Sequence, residues 1–171
     1  GELADPTGRK TLSPVLALVP IVRLRMGLDL VESWLKLNTT EGWQRALEVL
    51  SSSAYSAKEI KRQFNRYSDN IYIEVGSARA NAYLDGGAMP TSKETTQYLL
   101  RNEVLAHVDE LTAELAYLLR DGGGVGGGDT ADLYTYLSAA KKSFDDYLQL
   151  APPLDLDGAA EVARAKQPSF K

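Results

Sequence analysis

Apolar residues recur at alternating steps of three and four along most of this chain, and this spacing limits its fold more than any other feature. Residues spaced in this way share one face of an α-helix. We find no comparable alternation of period two, which a half-buried strand would show. The pattern therefore predicts an all-α fold of amphipathic helices around one core. The expected inward-facing residues are Ile21, Leu24, Leu28, Val31, Leu35, Ile60, Phe64, Tyr67, Ile71, Val75, Ala78, Ala82, Leu100, Val104, Val108, Leu111, Leu115, Leu118, Leu133, Leu137, Ala140, Phe144, Tyr147 and Leu148.

Prolines, glycines and capping residues set the expected helix boundaries. We expect the first helix to begin near Pro20, because proline fits the first turn of a helix. A short helix carrying Trp43 follows. A capping box of Ser56 with Glu59 then starts a long helix, which Gly86-Gly87 ends. Short or glycine-rich links favour antiparallel neighbours, so we predict an up-down-up-down four-helix bundle over residues 20–153.

The two ends of the chain are expected to lie outside this bundle. Prolines keep residues 1–19 extended, so we predict an N-terminal arm that either straps the bundle or inserts into a partner. Deleting the arm should then weaken docking without melting the bundle. We expect residues 154–171 to form a mobile acidic tail, because they hold little apolar surface. The candidate partner-binding residues of the arm are Arg9, Lys10, Leu12, Val15, Leu16 and Leu18.

Charge is unevenly distributed along the chain. Residues 1–66 hold ten Lys or Arg against seven Asp or Glu, whereas the whole chain has a net charge of −4. Four cations, Lys58, Lys61, Arg62 and Arg66, gather on the first turns of the long helix, beside its apolar stripe. They form either an ordinary solvated face or a salt-sensitive docking strip for an acidic protein surface. The net acidity argues against a nucleic-acid partner. The sequence carries no strong signal for a homo-oligomer.

No motif in the sequence supports catalysis, a cofactor or a metal. The chain has no cysteine and a single histidine, His107, so the paired Glu-x-x-His motif of di-metal bundles cannot form. We expect His107 to lie at the edge of an apolar stripe. The glycine-rich segment 122–128 follows a helix, whereas a dinucleotide fingerprint needs a strand before it, so we predict a flexible link. We therefore expect that the protein is not an enzyme.

Three segments resemble the PsbQ-like extrinsic proteins of photosystem II. They are Trp43–Leu47 (WQRAL), Phe64–Ile71 (FNRYSDNI) and Ser143–Leu148 (SFDDYL), and the resemblance covers roughly residues 14–150. Serines 51–53, the glycine-rich segment and the additional acidic tail depart from the family pattern. The resemblance leaves the family branch, the partner subunit and the role of these insertions open.

The resemblance implies a non-catalytic subunit in the chloroplast thylakoid lumen. Such a subunit is peripheral to the thylakoid membrane and docks on membrane-embedded and extrinsic subunits of photosystem II. It helps to retain calcium and chloride at the oxygen-evolving centre without binding the metals itself. The alternative is an assembly chaperone or regulatory helical module of a photosynthetic membrane complex.

Overall fold

The computed structural model describes residues 2–4, 10–72, 92–166 and 169–170. Its described part is almost entirely helical, so the predicted all-α class is confirmed. A 3₁₀ turn covers Ser53–Tyr55, and strands β1 (Glu2–Ala4) and β2 (Lys10–Leu12) pair antiparallel. Three-residue strands are too short to show an alternating pattern in sequence. The helices are α1 Pro14–Lys36, α2 Thr40–Leu50, α3 Ala57–Tyr72, α4 Ser92–Arg120, α5 Ala131–Leu148 and α6 Pro153–Arg164.

Helix α1 begins earlier than the sequence predicts. The hydroxyl of Ser13 accepts a hydrogen bond from the amide of Leu16 at 3.2 Å and caps the helix, and Pro14 occupies its first turn. Pro20 therefore lies inside α1, where its missing N–H removes one backbone hydrogen bond. Burial of Ala17 and Leu18 on this early turn favours the longer helix. The predicted extended arm over residues 1–19 is wrong from Pro14 onward.

Helix α1 contributes more buried residues than one stripe would supply. It packs against α2, α3, α5 and α6, which cover it from several directions. Helix α4 packs mainly along α5 and also contacts α2 and α3. The buried residues of α1 are Ala17, Leu18, Val19, Ile21, Val22, Leu24, Gly27, Leu28, Val31 and Leu35.

Aromatic side chains join α3 to α5 within the core. The ring of Phe64 lies 4.4 Å from that of Tyr147 and 5.9 Å from that of Phe144, measured between centroids. Tyr67 meets Tyr147 edge to face at 6.3 Å. Such tilted and edge-on arrangements are the favoured geometries of aromatic pairs. The predicted inward faces of α3 and α5 are confirmed where they are described. The side chains of four further predicted core residues, Ile71, Val75, Ala78 and Ala82, lie outside the described residues, as does the helix end predicted at Gly86-Gly87.

The predicted mobile tail is wrong over most of its length, because α6 packs on α1. Pro153 starts the helix, and Ala159 and Ala163 are fully buried. Gly158 lies close to the side chain of Val15 on α1. Small residues on one face let two helix backbones approach closely, so burial here needs few large apolar side chains. This explains why the segment resembles a solvated tail in sequence.

The glycine-rich segment is folded back onto the end of α4. The amide of Gly124 donates to the carbonyl of Leu118 at 2.9 Å, and the amide of Gly127 donates to the carbonyl of Gly124 at 3.1 Å. Gly123, Gly124 and Gly126 have positive φ angles, which glycine adopts without steric cost. The segment thus closes the C-terminus of α4 with its own backbone hydrogen bonds.

The close approach of Tyr55 to α1 generates a first prediction, on Gly27. The hydroxyl of Tyr55 donates to the carbonyl of Leu24 at 2.6 Å, and a Cβ built at Gly27 would lie 2.1 Å from that hydroxyl oxygen. We expect Gly27→Ala to lower the free energy of unfolding by roughly 1–3 kcal/mol through overpacking. Urea denaturation, followed by circular dichroism, measures this change in the free energy of unfolding.

Gly158 on α6 supplies the matched control. A Cβ there would meet the nearest carbon atoms of Val15 at 3.4 Å, which is ordinary contact. Gly158→Ala should leave stability unchanged or raise it by up to about 1 kcal/mol, because alanine is the better helix former. Equal effects of the two substitutions would contradict the packing of Tyr55 described above.

Candidate functional site

The four cations singled out from the sequence lie together on the exposed face of α3. The hydroxyl of Ser56 accepts a hydrogen bond from the amide of Glu59 at 3.2 Å, as half of the predicted capping box. Ile60, Phe64 and Tyr67 are buried on the core side of the helix. That burial turns the cations outward, and all four are exposed. We call Lys58, Lys61, Arg62 and Arg66 the basic ridge.

The charges of the basic ridge are only partly neutralised. Arg62 forms an ion pair with Glu59, and its Nε atom lies 2.9 Å from Oε1 of that carboxylate. Hydrogen bonding to Arg62 lowers the pKa of Glu59, and the same contact raises the pKa of Arg62. Within the described residues, Lys58, Lys61 and Arg66 form no ion pair. The ridge therefore presents positive charge to solvent on a rigid helix.

The N-terminal candidates are not gathered into one surface. Leu18 is fully buried in the core, so its predicted role in partner binding is wrong. Val15 is half-buried beside α6, whereas Leu16 remains 36% exposed. Lys10 and Leu12 lie in strand β2, and Arg9 lies outside the described residues. Of these candidates, Leu16 is the one whose described side chain remains open to a partner.

A pocket beside the basic ridge was not expected from the sequence. It has a volume of about 360 Å³ and lies between α1, the 3₁₀ turn, α3 and the C-terminal segment. Its apolar wall is formed by Pro20, Leu24, Ala54 and Phe170. These residues come from distant parts of the chain, and no spacing along the sequence connects them.

Polar side chains complete the pocket. Arg23, Lys166, Glu59 and Gln63 line it, and Glu59 is already paired with Arg62 of the ridge. Arg23 and Lys166 form no ion pair with any residue that the structure describes. The Nε2 atom of Gln63 donates to Glu59 at 3.3 Å, but its buried Oε1 atom has no described hydrogen-bond partner. The pocket thus combines an apolar wall with two cations and an unsatisfied acceptor.

A second charged cluster, also missed from the sequence, joins α1 to α5. The Nε atom of Arg25 lies 2.8 Å from Oδ1 of Asp145, and Nη1 of the same side chain lies 2.9 Å from Asp29. The Nζ atom of Lys141 lies 3.0 Å from Asp29 and 3.1 Å from Glu32. The α1 partner advances from Arg25 to Glu32 while the α5 partner steps back from Asp145 to Lys141, so the two helices run antiparallel. Unlike the ridge, this cluster leaves none of its charges without an ion-pair partner.

Two carboxylates of the α1–α5 cluster, Asp29 and Glu32, have lowered pKa values. Burial alone would raise the pKa of Asp29, but hydrogen bonds from Arg25 and Lys141 outweigh it and hold that pKa below its usual value. Hydrogen bonding to Lys141 likewise lowers the pKa of Glu32, against a smaller effect of burial. Both carboxylates therefore stay charged at neutral pH and stabilise the folded state there.

His107 lies at the edge of the α4 stripe, as predicted. Its side chain is half-buried, and Nδ1 lies 3.4 Å from Oε2 of Glu110. In the described ranges, no three His, Cys, Asp or Glu side chains are arranged to hold a metal ion. Nor does any helix of those ranges have the length and apolar character needed to cross a membrane.

Comparisons of this chain with protein-family models, with curated proteins and with solved structures found no match.

The α1–α5 cluster generates a second prediction, on acid stability. We expect Lys141→Gln to lower the free energy of unfolding by roughly 1 kcal/mol at pH 7, a value reduced by solvent screening. Since the folded-state pKa values of Asp29 and Glu32 are lowered, their contribution is complete above the ordinary values of 3.8 and 4.5 and is lost as pH falls below them. The deficit of the variant should therefore shrink toward pH 2.

Urea denaturation at a series of pH values between 7 and 2 measures this deficit. Lys142→Gln is the control, because that neighbouring lysine makes only an exposed contact with Asp146, of the kind that contributes little. A deficit for Lys141→Gln that stays constant over the whole series would contradict the assignment of the low pKa values to this cluster.

Proposed function

We propose that this protein is a non-catalytic extrinsic subunit that docks through its basic ridge on an acidic surface of photosystem II. The observation that carries the proposal is the set of exposed cations Lys58, Lys61 and Arg66, which have no ion-pair partner among the described residues. Cations that are not neutralised within their own chain are available to an acidic partner. Their attraction speeds encounter and selects the orientation of docking.

The helix that carries the basic ridge also supports docking, because it is packed firmly on the core. Its residues project from a regular helix whose opposite face is held by Ile60, Phe64 and Tyr67. The spacing of the charges is therefore set before a partner arrives. A pre-organised surface loses less conformational entropy on binding than a mobile one does. This favours a stable peripheral subunit.

We propose further that α1, α3, α4 and α5 are the principal helices of an up-down-up-down bundle. The antiparallel relation of α1 and α5, given by their ion pairs, supports this arrangement. The contact of α3 with α4, where Arg101 donates to the side-chain oxygen of Asn65 at 2.8 Å, also supports it. In this arrangement α2 and α6 are shorter helices that cover α1.

The buried polar side chains of the core give little support to an enzymatic function. In the described ranges, its buried polar residues are Ser52, Gln97 and Ser143. The hydroxyl of Ser52 donates to the carbonyl of Val49, and that of Ser143 donates to the carbonyl of Ala140. Both hydroxyl groups therefore donate to backbone carbonyls of their own segment. An active site instead needs convergent polar groups.

The partner and the compartment rest on the resemblance to PsbQ-like proteins. Trp43, which lies in one of the three similar segments, is buried against the end of α1, where its indole donates to the carbonyl of Leu35 at 3.2 Å. The segments around Phe64 and Phe144 meet through their rings. The similar segments therefore coincide with helix-packing contacts. From the resemblance we propose that the protein lies at the lumenal face of the thylakoid membrane, where it limits loss of calcium and chloride from the oxygen-evolving centre.

Neutralising the ridge tests the docking proposal. We expect the triple variant Lys58→Gln, Lys61→Gln, Arg66→Gln to bind salt-washed photosystem II membranes about tenfold more weakly, because each exposed ion pair contributes roughly 0.2–1 kcal/mol. Binding of the unaltered chain should also weaken as NaCl is raised, since salt screens exposed charges. Sedimentation with the membranes over a concentration series measures both effects.

A second triple variant separates local charge from net charge. Lys93→Gln, Arg120→Gln, Lys142→Gln removes the same charge from exposed positions outside the ridge. It should bind nearly as well as the unaltered chain. Equal weakening by the two variants would contradict docking through the ridge. Association with immature complexes alone would instead favour the assembly-factor alternative.

A further inference from the structure

The pocket beside the ridge has features that protein docking does not use. Its volume of about 360 Å³ falls in the range of sites for small molecules, and those sites are mostly apolar with a few placed polar groups. Pro20, Leu24, Ala54 and Phe170 supply the apolar wall. The ring of Phe170 packs on that of Tyr55 at 5.4 Å between centroids, which fixes this side of the pocket.

The charges at the pocket favour an anion. Arg23 and Lys166 line it without an ion pair among the described residues. Glu59 is the carboxylate of the lining, and its charge is offset by Arg62. An entering anion therefore meets two uncompensated cations and one carboxylate that is already paired. Coulomb attraction should outweigh repulsion at this position.

Gln63 favours a ligand that carries a hydrogen-bond donor. Its Oε1 atom is buried without a described partner, and an unpaired buried acceptor is costly. The terminal torsion of a glutamine side chain rotates with little resistance. Such a rotation can turn the oxygen toward a donor on a ligand in the pocket.

We propose that this pocket is a binding site for a small organic carboxylate that carries an apolar body and a hydrogen-bond donor. The carboxylate lies between Arg23 and Lys166, the apolar body packs on Leu24 and Phe170, and the donor reaches Oε1 of Gln63. The site is separate from the cations Lys58, Lys61 and Arg66 that carry the docking proposal.

Three related compounds test the chemistry of the site. 4-Hydroxyphenylacetate has the anion, the ring and the donor, phenylacetate lacks the donor, and tyramine replaces the anion with a cation. We expect the first to bind tightest, phenylacetate severalfold more weakly, and tyramine at least tenfold more weakly. Chemical shifts of the isotope-labelled full chain measure the affinities and locate the site, with changes expected in residues 20–24, 53–54 and 59–63. Equal binding of 4-hydroxyphenylacetate and tyramine, shifts elsewhere, or no binding would overturn the proposal.

Substitutions test the residues. Arg23→Gln with Lys166→Gln should weaken 4-hydroxyphenylacetate binding by about tenfold, and Gln63→Met should remove its advantage over phenylacetate. Lys93→Gln with Arg120→Gln, which removes the same charge elsewhere, should leave the affinity unchanged. The triple ridge variant should also keep its affinity, so a failure of docking and a failure of this site are distinguished. An equal loss in the Lys93/Arg120 control variant would overturn the site.

Discussion

The apolar surface of α1 is so extensive that no single neighbour can cover it, and the arrangement of the other helices depends on this constraint. Its buried residues point toward α2, α3, α5 and α6 alike. Burying a Leu, Ile or Val side chain contributes roughly 1.5–3 kcal/mol, so each face of α1 left uncovered would be costly. The C-terminal segment is helical for this reason: α6 covers a part of α1 that the longer helices leave open. Tyr55 and Phe170 cover another part, above Gly27.

The sequence predicted the helices better than it predicted their ends. The stripe Ile21 to Leu35 and the stripes of α4 and α5 were recognisable because large apolar residues recur at helical spacing. Leu18 and Val22 belong to a second buried face of α1, and neither fits the single stripe that was predicted. Two buried faces on one helix imply a further covering helix. In α6 the contact depends on Ala159 and Ala163, whose small side chains carry little periodic signal.

The functional surfaces were predictable to different degrees. Exposure of the basic ridge followed from helical geometry, since its cations alternate with the buried Ile60 and Phe64. The pocket and the α1–α5 cluster could not be predicted, because each joins residues that are far apart in sequence, such as Arg23 with Lys166 and Arg25 with Asp145. The two clusters also differ in charge balance. Each charge between α1 and α5 has an ion-pair partner, whereas three cations of the basic ridge and two at the pocket have none among the described residues.

Native-state hydrogen exchange tests the central claim that α1 is a core helix covered by α6 as well as by the long helices. Amides buried in a cooperative core exchange only through large-scale opening. We expect the amides of α1 between Ile21 and Leu35 to be among the slowest of the chain, and those of α6 near Ala159 and Ala163 to be strongly protected. Exchange of the α6 amides at the rate of an unfolded peptide, with α1 still protected, would show that α1 does not need this cover and would contradict the account.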